Sequence, residues 1–201
     1  MWSSAYFLTI GVAFMFVEIT LIQRMSLFLG HPVYGLAIVL FSVILATGIG
    51  SLLSARTVHL SLPSLIGWPL ALAGYLALLP LWLGKLLEHA ETGSLVVRAA
   101  VCLLTVVPAG IVMGFMFPAG MRLCNRIDSR TTPWLWAVNG SAGVLASGSA
   151  VLVSIETSLN DALWVGAFLY AVLALVGPRL LNLGRGEDRL MTPAYASSEP
   201  T

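Results

Sequence analysis

Apolar residues run along this chain in six stretches separated by short polar junctions. The stretches cover about residues 5–22, 33–55, 65–86, 95–121, 134–155 and 159–181. Each is long enough for a transmembrane helix, because about 20 helical residues cross roughly 30 Å of hydrocarbon. The first can continue as helix to Leu29, where Gly30-His31-Pro32 interrupts it: Pro32 lacks an amide hydrogen and restricts the residue before it. The pattern predicts an all-α fold, a polytopic transmembrane helical bundle with six predicted spans over residues 1–181. From 182 to 201 Gly, Pro, Ser and charge replace the apolar pattern, which predicts a flexible or partner-bound tail.

Small residues and prolines give the spans different characters. The second ends in Ala46, Gly48, Gly50, Ser51 and Ser54, side chains short enough for another helix backbone to come close. Pro69 and Pro80 predict a bend in the third. The fourth carries Pro108 and the pair Gly110 and Gly114, and Phe117-Pro118-Ala119-Gly120 is expected to close it, leaving Arg122 to Thr132 as a charged loop. In the fifth, Gly143, Ser147 and Ala150 share a helical face with Asn139, so this span is the expected packed centre of the bundle.

Composition agrees with a lipid setting: 201 residues, 58% hydrophobic and only 9% charged, where a soluble domain carries about 25% charge. A formal net charge of +1 with no basic tract gives no nucleic-acid footprint. Cys102 and Cys124 fall near opposite ends of one span, which excludes a disulfide between them. The N-terminus has no basic n-region, so it reads as a retained helix and not as a signal peptide. Arg56, Arg122, Arg126, Arg130 and Arg179 gather on the side that holds both termini, which predicts them as cytoplasmic anchors with the N- and C-terminus inside. Glu88, Glu91, Glu156 and Asp161 then face outward.

Three motifs in order carry a family resemblance. FMFVEITLIQRMSLFLGHPVYGLAIVLFSVILATGIGSLLS, MGFMFPAGMR at Met113 to Arg122, and PWLWAVNGSAGVLAS at Pro133 to Ser147 resemble the membrane region of bacterial spermidine synthase-like polytopic membrane proteins. The resemblance covers residues 10 to 150 or so and implies a location in the bacterial inner (cytoplasmic) membrane. Members fuse these helices to a soluble synthase domain. No glycine-rich strand-to-helix nucleotide loop occurs here, so no synthase residue carries over, and the chain looks like the membrane half standing alone.

The candidate chemistry is sparse. Glu18 sits inside the first apolar run, where a carboxylate costs several kcal/mol unless protonated, paired or wet. It reads either as a hydrogen-bonded lock between helices or as a proton- or substrate-handling group. Arg24, six residues on, points elsewhere around the axis; it reads as a snorkelling side chain beside Gln23, or as the partner of an outer acid such as Glu156. Asn139 reads as an interhelical hydrogen bond, with Trp134 and Trp136 as interfacial belt residues. Gly48, Gly50, Gly110, Gly114, Gly143 and Ser147 read as helix-packing or partner contacts. His31, His59 and His89 fall at unmatched depths, which disfavours a membrane bis-histidine haem, and no zinc motif is present. No cofactor is predicted; lipids are expected partners, and the apolar faces leave a bound pigment or quinone open. Many packing signals and few convergent chemical groups favour a non-catalytic integral membrane subunit that packs into or stabilises a larger membrane complex; the alternatives are a transporter or half-transporter, and the membrane part of a split synthase-like enzyme.

Overall fold

The computed structural model describes residues 1–196, without the side chains of Ile127 and of residues 183–196. Helices α1 (Trp2–Leu29), α2 (Pro32–Thr57), α3 (Leu62–Ala90), α4 (Leu95–Ile127), α5 (Thr132–Glu156) and α6 (Leu159–Ala196) follow one another, with one 3-10 turn at Ser129–Thr131. All six helices are long and apolar enough to span a membrane, and no strand occurs among the described residues. The protein is a six-span transmembrane bundle.

Local chemistry sets the helix ends. Gly30 closes α1 at φ 75°, a left-handed conformation that glycine adopts without a Cβ penalty. His31 then caps α2, its Nδ1 accepting from the Val33 amide at 3.3 Å, with Pro32 in the first turn where no amide is needed. Ser94 caps α4 in the same way through the Val97 amide.

Two sequence expectations change. Pro118 and Gly120 do not close the fourth helix; α4 runs through them to Ile127, so the expected loop shrinks to Asp128 and the short turn after it. Neighbouring helices hold this proline-bearing stretch. The Tyr6 hydroxyl donates to the Met116 carbonyl at 3.0 Å, and the Tyr75 hydroxyl donates to the Thr105 carbonyl, beside Pro108, at 2.7 Å. Nor is the fifth helix the centre. In α1, 61% of the apolar window is buried against 22% in α5, and Phe7, Ala13, Val17 and Met25 are sealed completely. Small residues mark where another helix can approach, but α5 offers them to α1 on one side and to lipid on the other. At the C-terminal end α6 continues to Ala196. The expected tail at 182–201 lies, in its side chains from residue 183 and altogether from residue 197, outside the described residues.

Close backbone approaches explain why α1 can be central. A Cβ on Gly11 would strike the Asn139 carbonyl of α5, and one on Gly166 of α6 would meet Val17 at 2.7 Å. Between α2 and α4, a Cβ on Gly50 would strike the Ile111 carbonyl and one on Gly114 the Thr47 carbonyl, while at Gly110 it would come within 2.7 Å of the Ala46 Cβ. The pairs α1 with α5 and α2 with α4 make the most extensive contacts in the bundle. Both pairs run parallel.

That pairing is one sign of an internal repeat. Leu45-Ala46-Thr47-Gly48 in α2 returns as Leu145-Ala146-Ser147-Gly148 in α5, and Phe14-Met15-Phe16 in α1 as Phe115-Met116-Phe117 in α4. Burial repeats too. Ala46 and Gly50 are buried and Leu45, Gly48 and Ile49 exposed, as Ala146 and Ala150 are buried and Leu145, Gly148 and Ser149 exposed. In α3 the buried series Pro69, Ala73, Leu76, Leu79, Leu83 matches Gly166, Tyr170, Leu173, Val176, Leu180 in α6. By these likenesses α2 answers to α5 and α3 to α6, and the first three helices are related in pattern to the last three. Because three is odd, the second half crosses the bilayer in the opposite sense, an inverted repeat.

Backbone approach should dominate stability. Gly50→Val is expected to lower the melting temperature in detergent, by a destabilisation of about 1–3 kcal/mol from overpacking. Gly74→Ala, with nothing within 4 Å of the added carbon, should change it by less than about 0.5 kcal/mol. Equal effects would contradict the packing described.

Candidate functional site

The equivalent halves are not packed equally tightly. At the α1–α2 hairpin a Cβ on Gly35 would stand 2.5 Å from the Ser26 Cα, so these helices touch backbone to side chain. At the α4–α5 hairpin the corresponding position is Leu135. There large rings separate the helices: Phe117 and Trp136 meet edge to face at 4.5 Å, and the Thr132 hydroxyl donates to Asn125 Oδ1 at 2.9 Å nearer the turn. The result is a lateral cleft of about 510 Å³ between the two helix pairs.

Its walls come from both halves. Gly11, Phe14 and Met15 of α1 and Gly140, Gly143, Val144 and Ser147 of α5 form one side; Thr47 and Ser51 of α2 and Met113, Gly114 and Phe117 of α4 form the other. The cleft lies between mid-helix and the end that holds the N-terminus. Asn139 is its largest polar side chain, with an amide oxygen wholly buried and without a hydrogen-bond partner. Thr47 Oγ1 donates to the Ile44 carbonyl at 3.1 Å and Ser147 Oγ to the Val144 carbonyl at 2.8 Å, so each hydroxyl keeps lone pairs free for a guest. No charged side chain lines the cleft.

The residues expected from sequence to be functional divide among several places. Asn139, Gly114, Gly143 and Ser147 come together in the cleft, and Gly50 and Gly110 lie behind its α2–α4 wall. Gly48 does not join them; it faces outward with nothing within 4 Å. Glu18 is buried, 6% exposed, one helical turn past Phe14 and outside the lining. Among the described residues it has no hydrogen-bonding or charged partner. Tyr170 is sealed in α6, its hydroxyl without a partner among the described residues.

Arg24 forms no ion pair with Glu156; its guanidinium donates to Asn160 Oδ1 at the start of α6. Glu156 ends α5 exposed to the surroundings, whereas Asn160 is half-buried at the start of α6, where Arg24 reaches it. Gln23 beside it has a buried Oε1 without a partner. Arg56, Arg126, Arg130 and Arg179 are exposed at the N-terminal end of the bundle, and Arg179 stacks over Trp2 at 4.5 Å. Arg122 is different. It is half-buried and donates to the Ser54 and Val58 carbonyls at 3.0 and 3.1 Å, closing the C-terminal end of α2.

Thr47, Ser51, Phe14 and Met113 escape a reading of single motifs. The returning Leu-Ala-Thr/Ser-Gly quartet is the signal that points to them, since it marks equivalent positions facing one another across two halves. Among the described residues no group of His, Cys, Asp and Glu gathers as a metal site. The chain matches no family model, no curated protein and no solved structure.

Two substitutions probe buried polar groups outside the cleft. Glu18→Gln replaces a buried carboxyl that has no partner among the described residues, so it is expected to keep the melting temperature or raise stability by up to about 2 kcal/mol; a marked loss would reveal a hidden partner for the carboxyl group. Arg122→Met should cost about 1.5–3 kcal/mol through lost charge-assisted hydrogen bonds, and should speed hydrogen exchange at the C-terminal turn of α2 in particular.

Proposed function

We propose that this chain is a non-catalytic membrane transport module, a six-helix half-transporter whose working site is the lateral cleft. One observation carries the reading: the cleft lies where the first three helices meet the last three, between mid-membrane and the end that holds the N-terminus, and helices of both sets wall it. Secondary transporters bind their cargo at such an interface, and their two repeats rock against each other around it. A catalytic role has little to stand on, since the lining offers hydroxyls and one amide but no acid, base or nucleophile activated by a neighbour.

The orientation that goes with this reading is a bacterial inner membrane with both termini in the cytoplasm. It is supported by Arg56, Arg122, Arg126, Arg130 and Arg179 at the N-terminal end, against Glu88, Glu91, Glu156 and Asp161 toward the other. In that orientation the cleft opens in the cytoplasmic half of the bilayer.

A second reading, a packing subunit of a larger membrane complex, is favoured by Gly48 and Gly148. They have nothing within 4 Å, and small residues left free on the outer surface suit a further helix. The membrane part of a split spermidine synthase-like enzyme rests on the three-motif resemblance alone.

Proteoliposomes holding the full chain, loaded with a set of neutral and charged solutes, test the primary reading. Efflux of neutral members above the rate of protein-free vesicles is expected, and Gly140→Phe should abolish it by filling the cleft without disturbing the fold. Folded protein that passes no solute, together with a stoichiometric membrane partner after gentle native purification, would transfer the chain to the subunit reading.

A further inference from the structure

We propose that the cleft binds a neutral, lipid-soluble molecule with an apolar body and a hydroxyl head. The inference rests on the reading of the cleft as the working site, and it names the class of molecule held there. Four features of the lining converge on it.

The first is charge. With no charged side chain in the lining, an ionised guest would lose its hydration with nothing to replace it, a cost of several kcal/mol or more. The second is access. The cleft lies on the flank of the bundle, between helices whose outer faces carry exposed Leu45, Leu52 and Leu145, so a guest enters sideways from hydrocarbon. Its volume of about 510 Å³ falls within the roughly 300–1,000 Å³ usual for small-molecule pockets.

Hydrogen bonding is the third and narrows the class further. The Asn139 oxygen is packed 3.2 Å from where a Gly11 Cβ would stand, so the other arm of its amide is the part a guest can reach. Among the described residues that arm makes no hydrogen bond. Thr47 and Ser147 spend their protons on their own helices and offer acceptors. A hydroxyl both donates and accepts, so it satisfies an amide arm and an acceptor hydroxyl together, and it does so whichever way the Asn139 amide is turned. A plain hydrocarbon tail satisfies neither. The fourth is symmetry. Thr47 and Ser147 occupy equivalent positions in the repeat and stand on opposite walls of the cleft, which sets the hydroxyl head on the axis relating the halves.

Photolabelling of the purified full chain in lipid nanodiscs tests this directly. The probe is a long-chain isoprenoid alcohol carrying a diazirine and an alkyne. Expected labels fall on Phe14, Met113, Phe117 and Val144, competed by the unmodified alcohol and not by the matching hydrocarbon or phosphate ester. Asn139→Leu should lower capture about tenfold, the loss of roughly one buried hydrogen bond. Gly140→Phe should abolish it at an unchanged melting temperature, because its Cβ meets nothing within 4 Å. Labels spread evenly over the outer leucines, competition by hydrocarbon, or capture unaffected by both variants would overturn the proposal. Binding is read here without flux. A specifically labelled cleft in a chain that moves no solute would overturn the transport reading alone, whereas flux without alcohol-specific labelling would overturn the ligand class alone.

Discussion

Inside a bilayer apolar side chains gain nothing by leaving lipid for protein, so helices associate through close van der Waals fit and hydrogen bonds. In this bundle that requirement is met by backbone contact at glycine: Gly11 on the Asn139 carbonyl, Gly50 on that of Ile111, Gly114 on that of Thr47. Two parallel helix pairs result, α1 with α5 and α2 with α4, one reaching across each way between the halves of the chain. Once both pairs are fixed, α3 and α6 are left to pack antiparallel to each other, as the hydrogen bond from Trp164 to the Ala77 carbonyl records. The lateral cleft is what remains between pairs that are each tight within themselves.

Polar groups at depth show the same economy. The Tyr6 and Tyr75 hydroxyls go to α4 carbonyls near its prolines, Arg122 closes α2, and Arg98 reaches the Phe28 carbonyl near the end of α1. These bonds tie helix ends and weak points of the ladder. Glu18 and Asn139 tie no helix end: among the described residues neither side chain makes a hydrogen bond. The first is sealed away from the cleft and the second lines it, so the amide and not the carboxyl group can meet a guest.

Much of this is legible in the sequence. The six spans are, because uninterrupted apolar runs have no alternative in water, and so is the Gly30 turn, because Pro32 follows it. The end of α4 is not, since Pro118 and Gly120 break helices in water but are braced here by a tyrosine from α1, a contact between residues far apart in the chain. The central position of α1 is equally hidden: its large residues look like lipid-facing ones until the glycines of three other helices are seen to receive them. Asn139 stands out as a lone amide in an apolar run, yet Thr47 and Ser51 look like ordinary small helix residues. Only the recurrence of their surroundings in α5 marks them.

Cross-linking in native membranes measures the central contact most directly. In a chain with Cys102 and Cys124 replaced by alanine, Ala46→Cys and Gly110→Cys should form a disulfide on mild oxidation, since the Cβ positions stand 2.7 Å apart before relaxation and a disulfide needs roughly 3.5–4.5 Å. Leu45→Cys, which turns outward on the same helix, should not join to Gly110→Cys. Cross-linking from residue 45 and not from 46, or from neither, would contradict the parallel α2–α4 pair and with it the inverted repeat and the cleft.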